Sequence, residues 1–218
     1  MKRRTLTLTL CILACVALIG VGFASWVITN DVAGTADGTV EVDTVDDQTH
    51  KITVLTTDAK VVFGPKTETQ GSNWLRYNAT GDKAEKLTVE IEFTVTNPDS
   101  LDDQAPFAFT LEEADADGYY AKALEKDYVA ALPTTGVGIE CVAVEGTSEK
   151  YKVTITFAWG VAFGNENPSV YYNAHTANEK IEGTEVTYAE DAKTKLTAEA
   201  FTNLAKATFK LTITPKTK

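Results

Sequence analysis

The chain has 218 residues, with 20 Lys and Arg against 31 Asp and Glu, and its formal net charge is −11. Because so acidic a surface repels phosphate groups and carries no basic stripe, the composition excludes nucleic acid as a partner. Two of the three cysteines, Cys11 and Cys15, lie in an apolar first segment, so Cys141 has no second cysteine in the rest of the chain with which to form an internal disulfide.

The first 25 residues have the order of regions that is typical of a secretory signal peptide. Basic residues occupy positions 2–4, an apolar run covers 6–23, and the small residues Ala24 and Ser25 follow. The alternative is an uncleaved membrane anchor, since about 18 apolar residues is the lower limit for crossing a bilayer. In both cases the basic cluster keeps the amino end in the cytoplasm, so we expect the rest of the chain to be secreted or held at the cell surface.

We therefore divide the chain into a leader, 1–25, and one exported domain, 26–218, that meets the membrane only through the leader. The domain keeps 17 basic and all 31 acidic residues, a net charge of −14. Roughly 195 residues are enough for one domain with a sizeable hydrophobic core.

The segment after the leader contains Trp26, the pair Asn30-Asp31 and the run Gly-Thr-Val-Glu-Val at 38–42. In this order of residues the chain resembles the TasA/camelysin family, the exported fibre and biofilm-matrix proteins of Gram-positive bacteria. The resemblance implies a jelly-roll domain, a leader removed by a dedicated signal peptidase, and assembly by exchange of the amino-terminal strand. Camelysin-like members have been described as metallopeptidases, so the resemblance raises that activity as well.

Short strands with turns between them account for most of the remaining pattern. Runs of β-branched residues predict strands at 51–55 and 60–63, and a further strand is expected to begin at Trp74. The clearest strand is 87–96, where every second residue is apolar, so that one face is buried and the other is wet. Four more strands are predicted at 106–111, 138–144, 151–159 and 208–214.

Two helices are predicted among the strands. The spacing of apolar residues places them at 121–132, ended by Pro133, and at about 189–206, whereas the Gly- and Asn-rich tract 160–173 is predicted to be a long loop. The pattern as a whole predicts a mainly β fold, an antiparallel β-sandwich with two short helical insertions after the apolar leader. The resemblance makes that sandwich jelly-roll-like.

Residues 132–136, Leu-Pro-Thr-Thr-Gly, match the letters of a sortase sorting signal. A working signal lies near the carboxyl end, ahead of an apolar span and a basic tail. About 80 residues of strand and helix follow the motif in this chain. We therefore interpret it as a proline turn.

An acidic turn at 113–118 has the spacing of the first half of an EF-hand calcium loop. Glu113, Asp115 and Asp117 alternate with alanine, and Gly118 takes the position of the sharp turn. The twelfth position of such a loop would be Leu124, which cannot bind calcium. A solvated acidic turn is the preferred interpretation, and calcium binding stays open.

Residues suited to catalysis are few. His50 and His175 are the two histidines, and neither lies at the spacing of a metal site. The chain contains no His-Glu-x-x-His motif, no Gly-x-Ser-x-Gly nucleophile turn and no Gly-rich phosphate loop. We predict that the protein is not an enzyme, with no catalytic, cofactor-binding or metal-binding residues and no cofactor.

An aromatic tract lies next to Gly and Asn residues and has two interpretations. Its rings could stack on sugars, or they could belong to the core, and the inward phase of the first two favours the core. The tract consists of Phe157, Trp159, Phe163, Tyr171 and Tyr172.

These observations favour a structural role outside the cell. We expect an exported cell-surface or matrix protein that associates with itself into fibres, with 27–45 completing the open sheet of a neighbour. A carbohydrate- or host-ligand-binding adhesin module that uses the loop 160–173 to bind cell-wall or host glycans is the alternative. A camelysin-like peptidase is the third hypothesis.

Overall fold

The computed structural model describes residues 37–44, 50–56, 58–66, 74–75 and 84–218. The leader predicted at 1–25, and the family-like positions 26 and 30–31, lie outside these residues. Within them, none of the helices has both the length and the apolar character needed to cross a membrane.

The first sheet contains the first and last described strands of the chain side by side. Its members are β1 (Asp37–Thr44), β3 (Lys60–Val62), β5 (Phe107–Glu113) and β9 (Thr208–Pro215). The strand order is β3-β1-β9-β5, so β1 lies between β3 and β9. β1 runs antiparallel to β3 but parallel to β9, and β5 runs antiparallel to β9.

The second sheet has the order β2-β4-β8-β7-β6. Its strands are β2 (Ile52–Val54), β4 (Thr88–Val95), β6 (Thr134–Thr135), β7 (Gly138–Ala143) and β8 (Lys150–Thr156). All neighbours are antiparallel except β6, which runs parallel to the first two residues of β7. The prediction of a purely antiparallel sandwich is therefore wrong at β1–β9 and at β6–β7.

The core lies between the two sheets, as the alternation at 87–96 predicts. In β4 the residues Val89, Ile91, Phe93 and Val95 are at most 1% exposed, and the residues between them face outward. Aromatic rings meet across the sheets, with the centroids of Phe93 and Phe107 5.0 Å apart. The mainly β fold with two sheets is confirmed and is consistent with a β-sandwich.

Four short α-helices and three 3₁₀ turns connect the strands among the described residues. The helices are α1 (Tyr119–Leu124), α2 (Pro168–Asn173), α3 (Tyr188–Thr197) and α4 (Glu199–Thr202). The 3₁₀ turns are Pro98–Ser100, Val161–Phe163 and Leu204–Lys206.

The helix predicted at 121–132 is wrong from residue 125 onward. α1 ends at Leu124, and the backbone of Asp127 takes a positive φ of 58°, which breaks helical geometry. Val129 then forms an antiparallel bridge with Trp159 and is 1% exposed. Pairing with a distant residue therefore overrides the helical spacing of the apolar residues.

The loop predicted at 160–173 is wrong at its end, because α2 occupies 168–173. The side chain of Asn167 accepts a hydrogen bond from the Ser169 amide at 2.8 Å, and Pro168 takes the first helical position. An Asn cap followed by Pro is a standard helix start, and this signal was present in the sequence.

The helix predicted at 189–206 consists of three pieces. It breaks at Ala198, whose ψ is 139°, and α4 and the 3₁₀ turn Leu204–Lys206 follow. The break lets Leu196, Phe201 and Leu204 all reach the core, with at most 7% of each exposed. In a straight helix each residue is rotated by about 100° from the one before it. Residue 201 would therefore point away from the predicted apolar stripe, which contains residue 200.

The strand expected to begin at Trp74 does not begin there, because Trp74 and Leu75 lie outside any strand; the residues that follow, 76–83, are outside the described part of the chain. The Leu75 amide donates to the side-chain oxygen of Asn173 at 3.2 Å, and the Asn173 amide donates back to the Leu75 carbonyl at 3.0 Å. The indole Nε1 of Trp74 donates to the carbonyl of His175 at 2.9 Å. Hydrogen bonds to α2 therefore replace those of a strand partner.

Candidate functional site

The strongest candidate for a functional element is β1 together with its two neighbours. Six consecutive residues of β1, Thr39 to Thr44, pair in parallel with Thr208 to Ile213 of β9. On its other side β1 pairs with β3 over Asp37 to Thr39. A central strand of this kind is hydrogen-bonded on both edges, although it is the first described element of the chain.

The fit of β1 depends on Gly38. A Cβ at this position would lie 2.8 Å from Cγ1 of Val61, 3.0 Å from Cε2 of Phe209 and 3.1 Å from the carbonyl oxygen of Ala207. Real Cβ atoms almost never approach other atoms so closely, and Val61 and Phe209 are completely buried. The strand therefore enters a slot that is shaped for glycine.

The two faces of β1 differ in burial, because apolar and polar residues alternate along the strand. Val40 is 6% exposed and Val42 packs against the core, whereas Thr39, Glu41 and Asp43 face solvent. Outside, the ammonium of Lys210 lies 3.0 Å from the Asp43 carboxylate. This hydrogen bond and the charge of Lys210 lower the pKa of Asp43, and they raise the pKa of Lys210. Both side chains are well exposed, so the pair adds little stability.

Because β1 is hydrogen-bonded on both edges, its backbone hydrogen bonds could be exchanged for those of an equivalent strand. If β1 left its place, one edge of β9 and one edge of β3 would lose their partners, and a slot one strand wide would open between them. An equivalent strand could restore the same bonds and the same alternating side-chain contacts. The family resemblance pointed to an amino-terminal strand, but sequence reasoning missed its pairing with β9, because pairing between strands about 170 residues apart leaves no local signal.

The sortase-like motif forms a turn at one end of the second sheet. The Thr134 amide donates to the Val137 carbonyl at 2.8 Å, and the Gly136 amide donates to the Ile139 carbonyl at 3.0 Å. Pro133 is buried and Leu132 packs against the core. The motif is thus a turn, as predicted, although the helix expected before it ends at Leu124.

The acidic turn uses its carboxylates to bind backbone amides. Both oxygens of Glu113 accept amide hydrogens at the start of α1, from Tyr120 and, at 3.0 Å, from Ala121. Asp115 accepts from the amides of Tyr119 and Thr208, each at 3.1 Å. The turn therefore joins the start of α1 to the start of β9.

The two carboxyl groups of this turn titrate differently. Burial raises the pKa of Glu113, although its amide donors oppose the shift. Burial works against ionisation of Asp115 too, but hydrogen bonds from Thr208 and Tyr119 outweigh it and lower its pKa. Stability from Asp115 is thus lost as the pH falls through its lowered pKa, and stability from Glu113 is lost as the pH rises through its raised one.

The aromatic tract belongs to the core, as its strand phase predicts. Trp159 is 3% exposed, and its indole Nε1 donates to the Glu85 carboxylate at 2.5 Å. Tyr171 alone is half-buried. The other three rings, which are at most 2% exposed, are Phe157, Phe163 and Tyr172. These four rings have too little free surface to stack on a sugar, whereas Tyr171 stays partly exposed.

The two histidines serve separate local contacts. His50 is fully buried, and its Nε2 lies 2.7 Å from the Ser100 hydroxyl, which itself donates to the Asn97 carbonyl at 2.8 Å. Nε2 of His50 is therefore the donor. His175 pairs with Glu179 at 2.9 Å. Within the described part of the chain, no three His, Cys, Asp or Glu side chains are grouped so as to hold a metal ion.

Cys141 behaves as a small core residue, as the sequence predicts. It lies on β7, is half-buried and packs against the core. Burial raises the pKa of its thiol to about 12. The reactive thiolate is therefore scarce at neutral pH.

Comparison of the chain with protein-family models, with curated proteins and with solved structures finds no match.

Proposed function

We propose that the protein is an exported structural component of the cell surface or matrix, and that copies of it assemble into fibres by exchange of β1. The observation that carries the proposal is the place of β1, a strand near the amino end that lies between β3 and β9. The leader pattern at 1–25 supports export. The TasA/camelysin-like residues 26–42 support a role in fibres.

Exchange preserves the contacts that hold β1. A β1 strand from a neighbouring copy would meet the same slot, with Gly38 against Val61 and Phe209 and with Val40 in the core. Each hydrogen bond lost within one copy would be regained between copies. The free-energy difference between the monomer and the exchanged assembly therefore depends on the segment that connects β1 to the rest of the chain and on the protein concentration. The connection is short, since only 45–49 separate β1 from the next described residue, His50.

Exchange of one terminal strand favours open chains of molecules. Each copy has one strand to give and one slot to fill, and the two are different surfaces, so the contact is head-to-tail. Such a contact continues into a filament unless its rotation closes a ring. We assign the jelly-roll topology as part of the same proposal, because two facing sheets of four and five strands provide the layers that it needs.

The proposal is tested by electron microscopy and sedimentation of the mature chain, 26–218. Fibres are expected, and an excess of a synthetic peptide covering 27–45 is expected to shorten them, because it fills the slot at a growing end. The matched control is the same peptide with Gly38→Val, which the slot cannot accept. A chain that stays monomeric at high concentration, or fibres that ignore both peptides, would contradict the proposal.

A further inference from the structure

The second sheet has an open edge along β7. β6 pairs only with Gly138 and Ile139, the first two residues of that strand. The Ile139 carbonyl points to the β6 side, where it accepts from the Gly136 amide, and the Val144 amide points the other way, to the Lys150 carbonyl. Because successive residues alternate, the backbone groups of Cys141 and Ala143 point away from β8.

These groups have no strand beside them among the described residues. The two edge strands of the first sheet, β3 and β5, have further contacts. Val62 of β3 exchanges two hydrogen bonds with Lys86, of 2.8 and 2.9 Å, on the side away from β1. The hydroxyl of Thr135 donates to the Phe109 carbonyl of β5 at 3.4 Å.

The side chains along the open edge suit contact with another strand. Val142 is 55% exposed, although valine is usually buried, and Ala143 is exposed as well. Proteins commonly protect an edge with charged side chains, especially Lys, with Pro or with a bulge. The stretch 140–144, Glu-Cys-Val-Ala-Val, contains neither Lys nor Pro, and its one charged residue, Glu140, lies at the end next to β6.

We propose that a second copy of this chain binds here, through antiparallel pairing of β7 with β7 across a two-fold axis at Val142. Cys141 of each copy then exchanges two backbone hydrogen bonds with Ala143 of the other. Val142 lies opposite its own counterpart in a non-hydrogen-bonded pair, where the Cα atoms are about 4.5 Å apart.

The charges of the edge fit a second copy in this register. Glu140 lies opposite Val144, so no two carboxylates face each other directly across the axis. The small side chains of Cys141 and Ala143 share the opposite face. Because the paired stretch is only five residues long and each copy is strongly acidic, the dimer is weak and strengthens as salt screens the repulsion.

This contact is independent of β1 exchange, and cross-linking tests it separately. The test uses the mature chain with Cys141→Ala at micromolar concentration, with the same mild thiol oxidant in every sample. Val142→Cys is expected to form a disulfide dimer at least about tenfold faster than Val161→Cys, because pairing raises the local thiol concentration. Val161 is the stricter control, since it is 65% exposed and random collisions would favour it.

A second change checks that the edge itself is responsible. Adding Ala143→Pro removes an amide hydrogen that points outward, so it is expected to abolish the rapid cross-linking while β7–β8 pairing and the circular dichroism spectrum persist. Equal rates for Val142→Cys and Val161→Cys would overturn the proposal. So would rapid cross-linking that survives Ala143→Pro in a folded protein. Fibres that grow normally with Ala143→Pro would show that β1 exchange does not depend on the β7 contact.

Discussion

Gly38 is the residue on which the seating of β1 depends most. We predict that Gly38→Ala lowers the free energy of unfolding by about 1–3 kcal/mol, because the new methyl group overpacks a site bounded by Val61, Phe209 and the Ala207 carbonyl. Urea unfolding measures the change. Thr39→Ala is the matched control, since Thr39 is exposed on the same strand, and an equal loss in both variants would contradict the role of the slot.

Cys141 gives a second test at the residue scale. Since burial raises the pKa of its thiol to about 12, alkylation at pH 8 is expected to be roughly a thousandfold slower in the folded protein than in urea. The rate can be followed by mass spectrometry in dilute solution. Fast alkylation of the native protein would show that the side chain is open to solvent.

Particular residues show which features of the fold could be predicted from the sequence and which could not. The alternation in 87–96 and the inward phase of Phe157 and Trp159 were readable, because a period of two depends only on the strand itself. The demand for glycine at 38 was not readable, because it comes from Val61 and Phe209, which approach from two other strands.

At the scale of elements, α3 begins with a complete capping box. The Thr187 hydroxyl accepts from the Glu190 amide, and the Glu190 carboxylate accepts from the Thr187 amide. We expect Thr187→Ala to cost about 1 kcal/mol in thermal or urea unfolding. Thr194 is exposed within the same helix, so Thr194→Ala should be neutral or slightly stabilising. Equal effects of the two changes would argue against the cap.

The turn between β5 and α1 tests the calcium hypothesis. We predict that millimolar calcium leaves the Tm unchanged, because the carboxylates of Glu113 and Asp115 already accept amide hydrogens from Tyr120, Ala121, Tyr119 and Thr208. Magnesium at the same ionic strength is the control in a thermal scan. A rise in Tm that only calcium produces would mean that these oxygens exchange their amide partners for the ion.

The errors in the two predicted helices have the same physical cause. Apolar spacing predicted one helix at 121–132 and another at 189–206, but Val129 pairs with Trp159 and the chain bends at Ala198 to bury Phe201. Tertiary contacts thus decided both outcomes. The helix at 168–173 could have been predicted from local sequence, because Asn167 and Pro168 form a typical helix start.

At the scale of the whole molecule, the arrangement joins the two ends of the described chain. The mainly β architecture with two sheets followed from the number of short strands. The parallel pairing of β1 with β9 did not, since it links residues about 170 positions apart and nothing in either strand specifies the other. That pairing is the basis of the proposed assembly.

The most direct measurement asks which copy supplies the β1 that fills each slot. Thr39 of β1 and Lys60 of β3 are directly opposite each other in an antiparallel pair, so Thr39→Cys with Lys60→Cys, in a Cys141→Ala background, can form a disulfide wherever β1 lies in its slot. Fibres of this variant are grown under reducing conditions, oxidised and separated on a denaturing gel without reductant. Strand exchange predicts a ladder of covalent multimers that collapses to monomer when reductant is added. Fibres that give only monomers with an internal disulfide would contradict it.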